Sequence, residues 1–213
     1  DHELMINTSK TQFIVFKSKG KKLPDDCQLS LDGCVIQPSP SVTLLGVTLD
    51  QHLTFGKHID EVIKKCHGLL GVLRRAAPFL VRESLLLAYN SLIRCHLEYC
   101  SSVFAAASKT QLQKLDRVQR IAARLVCGVQ SDSHSAPLLA ELKLKPLEER
   151  RDIHITKIIN DILRNDCHPA ARGMFELTED GSVTNNASAR TALGRSRFSI
   201  WGREKYNSYI VIE

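Results

Sequence analysis

The spacing of apolar residues changes along the chain from a period of about two to a period of about 3.6, and the change falls within residues 38–55. Before this stretch, short runs rich in β-branched and aromatic residues predict strands at residues 11–16, 28–31 and 34–37. Asp32-Gly33, between the last two runs, is a strong hairpin signal. Residues 42–49 are predicted as one further strand, interrupted by Gly46.

After this change, apolar residues recur at helical spacing, which predicts amphipathic helices. Their expected ranges are residues 57–77, 82–97, 108–128, 135–142 and 146–163. Ser108 suits the N-cap of the third helix and Gly128 its C-terminal cap. Residues 97–107 are apolar and small, and they are predicted to be buried. The apolar stripes should form the core of a helical bundle; they include Ile59, Val62, Leu70, Leu85, Leu92, Leu115, Val118 and Leu125.

Composition and charge favour one class of partner and argue against several kinds of site. The 213 residues are 43% hydrophobic and carry a net charge of +6, an excess that favours polyanionic partners. No apolar run is long enough to cross a bilayer, and residues 1–10 lack a signal-peptide pattern. The seven cysteines form no C-x-x-C pair, so neither a disulfide framework nor a zinc site is indicated. Because the chain does not begin with Met, we expect a fragment of a longer protein.

Basic residues cluster on the predicted helices, away from the apolar stripes. On the third helix, Arg117, Arg120 and Arg124 lie within about 60° of one another and opposite the apolar face. A second set on the first helix comprises Lys64, Lys65, Arg74 and Arg75. Such rows suit sequence-independent contacts with phosphates, and they are also compatible with a solvated surface.

Two further basic regions have open alternatives. Arg150 and Arg151 either bind phosphate or pair with the acidic residues that precede them, Glu148 and Glu149. In residues 190–213, aromatic side chains stand among arginines, an arrangement that suits stacking on single-stranded bases. The alternative, which we favour for Phe198 and Trp201, is burial in a core.

Six short blocks, spread over nearly the whole chain, carry a family resemblance. In order they are HELMINTSKTQFIVF, SVTLLGVTLDQHLTFGKHI, AYNSLIRCHLEYCSSVF, LQKLDRVQRIAARLVCG, LKLKPLEERRDIHITKI and FSIWGREKYNS. The first resembles polymerase motif D, the second motif E or primer grip, and the others the thumb, of the reverse transcriptases of non-LTR (LINE-type), jockey-like retrotransposons. Phe104, Lys145 and Tyr206 depart from the residues usual in that family, which suits a divergent or truncated copy.

The resemblance implies an α+β fold, with a small antiparallel β remnant of the palm edge followed by a mainly α-helical thumb bundle. Residues 1–56 would be the palm edge, 57–164 the thumb, and 165–213 a polar linker with a basic, aromatic tail. The implied function is part of an RNA-directed DNA polymerase, a nucleotidyltransferase of a transposable element. The implied partners are an RNA template, a DNA primer and the upstream palm and fingers, with no membrane, in the nucleus or cytoplasm.

Three residues take specific roles from the resemblance. Lys10 matches the motif D lysine, proposed to meet the leaving pyrophosphate as a charge or proton donor, a role suited to a lysine whose pKa can be drawn down. The alternative is an exposed turn lysine. Leu45 and Gly46 match the primer-grip turn, where a glycine lets backbone approach a sugar-phosphate chain closely. The alternative for Gly46 is a bulge or packing glycine.

Polymerase chemistry requires carboxylates that converge on a pair of Mg²⁺ ions. In the family those carboxylates lie upstream of these blocks, so Mg²⁺ is expected in the full polymerase, with no cofactor and no metal site in this chain. The adjacent pair Asp25-Asp26 lies in a basic turn and lacks the aromatic and small residues that would aim it from a hairpin. We therefore expect this chain alone to be inactive. The alternative interpretations are a non-enzymatic helical protein-interaction module and a decayed copy of an element.

Overall fold

The computed structural model describes residues 7–130, 132–164, 166–167, 171, 176–178 and 182–184. Within these residues the chain forms two N-terminal β-hairpins, a group of packed helices and a short antiparallel pair, β5 (Glu176–Leu177) with β6 (Val183–Thr184). The interpretations of the tail, residues 190–213, fall outside the described residues. None of the helices described has the length and apolar content that crossing a bilayer requires.

The first hairpin forms where the sequence predicts it. β1 (Leu29–Leu31) pairs antiparallel with β2 (Cys34–Ile36) across Asp32-Gly33, whose φ angles are 48° and 76°. The strand predicted at residues 11–16 is wrong. A strand needs a partner along its length, and in this part of the structure only Phe13 forms a bridge, with Pro38.

The segment predicted as one strand, residues 42–49, is instead a second hairpin. β3 (Ser41–Leu44) pairs antiparallel with β4 (Val47–Asp50), and Leu45-Gly46 forms the two-residue turn between them. Both turn residues have positive φ, 47° and 81°, which matches the twist of the flanking strands. The sequence pattern misses this turn because Leu45, a residue that rarely adopts a left-handed conformation, continues an apolar run.

Most of the remaining described chain is helical. The helices are α1 (Gly56–Ala76), α2 (Arg82–Ala88), α3 (Cys95–Glu98), α4 (Ser101–Phe104), α5 (Lys109–Cys127), α6 (Ser135–Glu141) and α7 (Leu147–Leu163). A 3₁₀ turn that contains Pro78 follows α1 and ends it, as predicted. Both predicted caps of α5 are confirmed: the Ser108 hydroxyl accepts the Gln111 N–H (3.4 Å), and Gly128 has a φ of 66°.

The predicted helix over residues 82–97 is continuous but not uniform, because a π-helical segment, Tyr89–Arg94, joins α2 to α3. Its i→i+5 turns shift the buried stripe to every fourth residue; the buried positions are Leu85, Tyr89, Ile93 and Leu97. The prediction for Leu92 is therefore wrong, and its side chain is 47% exposed. Burial of residues 97–107 is partial, since Phe104 is buried whereas Tyr99 and Val103 are half-exposed.

The main core lies between α1, α5 and the helix that runs from α2 to α3. Most of the predicted apolar stripe is buried there, including Ile59, Leu70, Leu85, Leu115 and Val118, while Val62 and Leu125 pack against it half-buried. Val47 and Phe55 extend this core to the second hairpin. A smaller cluster at the joint of α4 and α7 comprises Ala105, Ile155, Ile159 and Ile162.

Candidate nucleic-acid interface

Three arginines lie on the outer face of α5. Arg117 is exposed, whereas Arg120 and Arg124 are half-buried. The Arg120 Nε–H donates to the Asp116 carbonyl oxygen (3.3 Å), and the Arg124 Nε–H donates to the Ser133 carbonyl oxygen (2.9 Å). A carbonyl partner orients a guanidinium without cancelling its charge, although the Arg120 charge also acts on the nearby Asp116 carboxylate, where it lowers a pKa that burial raises. The three positive charges therefore share one side of α5, opposite its buried stripe.

The basic residues of α1 are all exposed but do not form one row. At about 100° per residue, Lys64 and Arg75 fall within about 20° of each other on the outer face. Lys65 and Arg74 lie on the two flanks, about 100° to either side of that line. Lys64 and Arg75 therefore share one outer face, whereas the four residues together do not.

Lys65 lies beside the Leu45-Gly46 turn, although the two are well separated in sequence. They line a groove of about 560 Å³ between the turn, α1 and α3. His96 and Tyr99 also line this groove, from the α3 side. Partial burial, and then the nearby Lys65 charge, lower the pKa of His96, so its imidazole is neutral at physiological pH. The structure thus brings together two of the predicted contacts, the turn and Lys65.

The second hairpin is fixed to α1 through Thr48. Its hydroxyl donates to a carboxylate oxygen of Glu61 (2.7 Å), and its backbone N–H donates to the His58 Nδ1 (3.4 Å). Burial lowers the pKa of His58 and outweighs the opposing effect of the Glu61 charge, so the ring is neutral and its Nδ1 is free to accept. The hairpin and the start of α1 therefore form one rigid support for the turn.

Asp50 organises the connection between the second hairpin and α1. Its carboxylate accepts hydrogen bonds from the backbone N–H groups of His52 (3.0 Å), Thr54 (3.1 Å) and Phe55 (2.8 Å), and from the Thr54 hydroxyl (2.9 Å). Burial raises the pKa of Asp50, but these hydrogen bonds outweigh burial and the pKa is lowered.

Of the two alternatives left open for Arg150 and Arg151, the structure shows pairing with acids, although the partners are Glu98 and Asp116 and not Glu148 and Glu149. Arg150 forms a bidentate ion pair with Glu98 at the end of α3. The Arg151 side chain is only 6% exposed and lies 3.4 Å from the Asp116 carboxylate of α5. The prediction of Arg151 as a phosphate contact is therefore wrong, since its guanidinium is buried between helices. Arg150 is likewise occupied by Glu98.

The residues of the N-terminal segment that were considered for catalysis or metal binding, Lys10, Asp25 and Asp26, are exposed. Lys10 ends a 3₁₀ turn, Thr8–Lys10, which the Asn7 side chain caps by accepting the Ser9 N–H (3.1 Å). Asp25 and Asp26 lie in an exposed turn. Among the described residues, no group of three or more His, Cys, Asp or Glu side chains is arranged to hold a metal ion.

Comparison with known proteins identifies relatives of one kind. The chain is 26% identical over 150 residues to the RNA-directed DNA polymerase from mobile element jockey of Drosophila melanogaster. It is similar to retrotransposon reverse transcriptases. Two further relatives from the same organism are the probable RNA-directed DNA polymerases from transposon BS, 23% identical over 166 residues, and from transposon X-element, 21% identical over 155 residues. The predicted resemblance to non-LTR reverse transcriptases is thereby confirmed.

The matched regions cover 76%, 71% and 68% of this chain for transposon BS, X-element and jockey, but only 18%, 17% and 16% of those polymerases. The chain therefore spans less than a fifth of the length of these relatives. No protein-family model matches the sequence. No solved structure matches it either.

Two residues of this reverse-transcriptase-like chain escaped the sequence analysis. Tyr99 contacts the Leu45-Gly46 turn across 54 residues of sequence, and a contact of that range leaves no local pattern. Asp50 had a usable signal, because an Asp a few residues before an amphipathic helix often accepts hydrogen bonds from the N–H groups that lead into it. Both residues support the turn rather than the arginine row on α5.

Proposed function

We propose that this chain is the primer-grip and thumb part of the RNA-directed DNA polymerase of a non-LTR retrotransposon, and that it holds the RNA/DNA template-primer hybrid. The observation that carries the proposal is the row Arg117, Arg120 and Arg124, which stands clear of the core in a chain related to such polymerases. The hairpins would belong to the edge of the palm, and α1 to α7 would form the thumb.

A polymerase must hold any sequence, so its grip on the hybrid relies on the sugar-phosphate backbone and not on base edges. Arginines suit this task because a planar guanidinium donates two parallel hydrogen bonds to one phosphate. The three arginines span eight residues of α5, about 10 Å along the axis. Over that length, one strand presents about two or three successive phosphates.

Bond formation belongs, in this proposal, to the upstream palm and fingers of the same polymerase. Asp25 and Asp26 are exposed in a turn, and the described part of the chain offers no carboxylate cluster for Mg²⁺. This chain would then supply affinity and alignment, while the residues that bind Mg²⁺ lie elsewhere. Incubation of the chain alone with a primed RNA template, Mg²⁺ and deoxynucleotides should extend no primer.

The decisive experiment is a salt series of binding to a short RNA/DNA hybrid. Replacement of Arg117, Arg120 and Arg124 by Ala should reduce the slope of log Kd against log salt by about 2–3, because each lost phosphate contact removes about 0.7–0.9 from the slope. Replacement of the three by Lys keeps the charge and should restore most of the slope.

A matched control removes the same net charge elsewhere. Lys19, Lys21 and Lys22 lie exposed in the N-terminal turn, and their triple Ala variant should leave the slope within about 0.5 of the wild type. Equal losses in both triple variants would show a general charge effect and reject the arginine face. A wild-type chain that fails to bind the hybrid would favour the alternative, a non-enzymatic protein-interaction module.

A further inference from the structure

Tyr99 joins the Leu45-Gly46 turn to the end of α3. Its hydroxyl donates a hydrogen bond to the Leu45 carbonyl oxygen at 2.8 Å. Its ring lies against Gly46, where an added Cβ atom would come within 3.5 Å of the Tyr99 Cε1. A hydrogen bond with the Cys100 thiol raises the pKa of Tyr99, so the phenol stays protonated and able to donate at neutral pH.

The outer end of the second hairpin has little packing of its own. Leu44 and Leu45 are 60% and 83% exposed, and Leu45 is in a left-handed conformation that is unfavourable for residues other than glycine. The inner end differs, because Val47 is buried in the core and Thr48 is bonded to α1. Among the described residues, Tyr99 is the side chain whose hydrogen bond ties the turn to the helices.

The backbone that carries Tyr99 is itself well anchored. The Tyr99 N–H donates to the Cys95 carbonyl oxygen (3.0 Å), and the chain leaves the helix at Cys100, which has a φ of 52°. The preceding Glu98 is held by Arg94 (3.5 Å) and by the bidentate pair with Arg150. A residue on such a support can fix the position of a turn that otherwise has few contacts.

We propose that Tyr99 is a positioning residue for the primer-strand contact. It holds the Leu45-Gly46 turn at the rim of the groove that Lys65 also lines, so that the turn backbone and the Lys65 ammonium meet the same stretch of sugar-phosphate chain. The inference rests on the proposed function. Tyr99 acts through the turn and is not itself the phosphate ligand.

The first test is independent of nucleic acid. Tyr99→Phe keeps the ring and removes the hydrogen bond, so amide hydrogen exchange at residues 44–47 should become about threefold to tenfold faster, as expected for the loss of one hydrogen bond. Exchange in α1 and α5 should stay within about twofold of the wild type, because these helices form the core.

The second test locates the effect on the primer. Hybrids are prepared in which one primer linkage at a time is a neutral methylphosphonate, and their affinities for the wild-type chain identify the linkages that are contacted. At the linkage held by the turn, the wild type should lose about threefold to tenfold in affinity, and Tyr99→Phe should lose less than about twofold. At the other linkages, the methylphosphonate should cause the same loss of affinity in both proteins. A general loosening of the fold would instead change the loss of affinity at every linkage.

Cys100→Ala is the matched control, because it removes the thiol beside the Tyr99 hydroxyl and keeps the bond to Leu45; both readouts should match the wild type. Unchanged exchange at the turn in Tyr99→Phe would overturn the inference. So would faster exchange combined with an unchanged methylphosphonate profile. If the wild-type chain binds the hybrid and the methylphosphonate profile of Tyr99→Phe is the same as that of the wild type, the Tyr99 inference is rejected and the proposed function is not. If the wild type does not bind the hybrid, the proposed function is rejected, and the Tyr99 inference is rejected with it.

Discussion

Asp50 shows how a single side chain directs the path from the second hairpin into α1. The residue that precedes α1, Phe55, has a φ of 57° and supplies no side-chain cap. Three of the hydrogen bonds accepted by Asp50 satisfy backbone N–H groups that lead into the helix instead, and the fourth comes from the Thr54 hydroxyl. This carboxylate therefore holds the connection between the second hairpin and α1 in place.

Replacing Asp50 by Ala should lower the free energy of unfolding by about 1–2 kcal/mol, the usual cost of losing a capping side chain. Urea denaturation measures the change. Asp26→Ala serves as the control, since Asp26 is exposed in a turn and its removal should change the free energy of unfolding by less than about 0.5 kcal/mol. Equal stabilities for the two variants would contradict the role of Asp50.

The pH dependence of this contribution has a definite sign. The folded-state pKa of Asp50 lies below its ordinary value of 3.8, so its stabilisation is fully present above about pH 4 and is lost as the pH falls through the folded-state value. The difference in stability between the wild type and Asp50→Ala should therefore shrink at acid pH. A difference that stays constant between pH 6 and pH 3 would contradict this assignment.

At the scale of elements, α7 is joined to the bundle by ion pairs as well as by packing. Arg151 reaches Asp116 of α5, and Arg150 reaches Glu98 at the end of α3. Burial raises the pKa of Asp116, and the Arg151 charge offsets only part of that effect. Asp116 is therefore a costly anion that depends on its partner.

Arg151→Ala should lower the free energy of unfolding by about 1–3 kcal/mol, because it removes the main positive charge beside the partly buried Asp116 carboxylate. The measurement is urea denaturation at neutral pH. Arg117→Ala is the matched control: Arg117 is exposed on the same helix as Asp116, and its removal should cost less than about 0.5 kcal/mol. If Arg151→Ala were as stable as the control, the buried pair would not contribute as described.

The elements differ in how far the sequence predicts them, for physical reasons. α1, α5 and α7 were predicted well because their apolar stripes are long and their ends carry recognisable signals, such as Ser108 and Gly128. The apolar pattern missed the turn at Leu45-Gly46, which only the family resemblance indicated, and it missed the π-helical segment, because each depends on tertiary contacts that override local preference. The ion pairs of Arg150 and Arg151 were also missed, since both partners lie on other helices.

At the scale of the whole molecule, the proposed function makes Lys10 the candidate for a direct chemical role. It is exposed at the end of a 3₁₀ turn shaped by Asn7, so the lysine is presented rather than buried. A positive charge so placed would be free to meet the leaving pyrophosphate once the chain stands beside the residues that bind Mg²⁺. That role is defined only within the complete polymerase.

In the complete polymerase, Lys10→Ala should reduce the single-turnover rate of nucleotide incorporation by about 10–100-fold while nucleotide binding changes little, as expected for loss of a proton donor in the transition state. Rapid-quench measurement of the incorporation rate over a range of pH separates the loss of the proton donor from the loss of the charge. Lys10→Arg should keep the charge but not the proton transfer. An unaltered incorporation rate in Lys10→Ala would end the proton-donor hypothesis.

The second hairpin shares its core with the helices, and this has a consequence for the autonomy of the parts. In residues 7–37 no side chain is fully buried, whereas Val47 and Phe55 are 4% exposed. The earlier residues are attached mainly through backbone hydrogen bonds, such as those from Ser39 to Phe13 and from Lys17 to Gln51. Among the described residues, every fully buried side chain therefore lies within residues 38–164, and the leading segment rests against that core without adding to it.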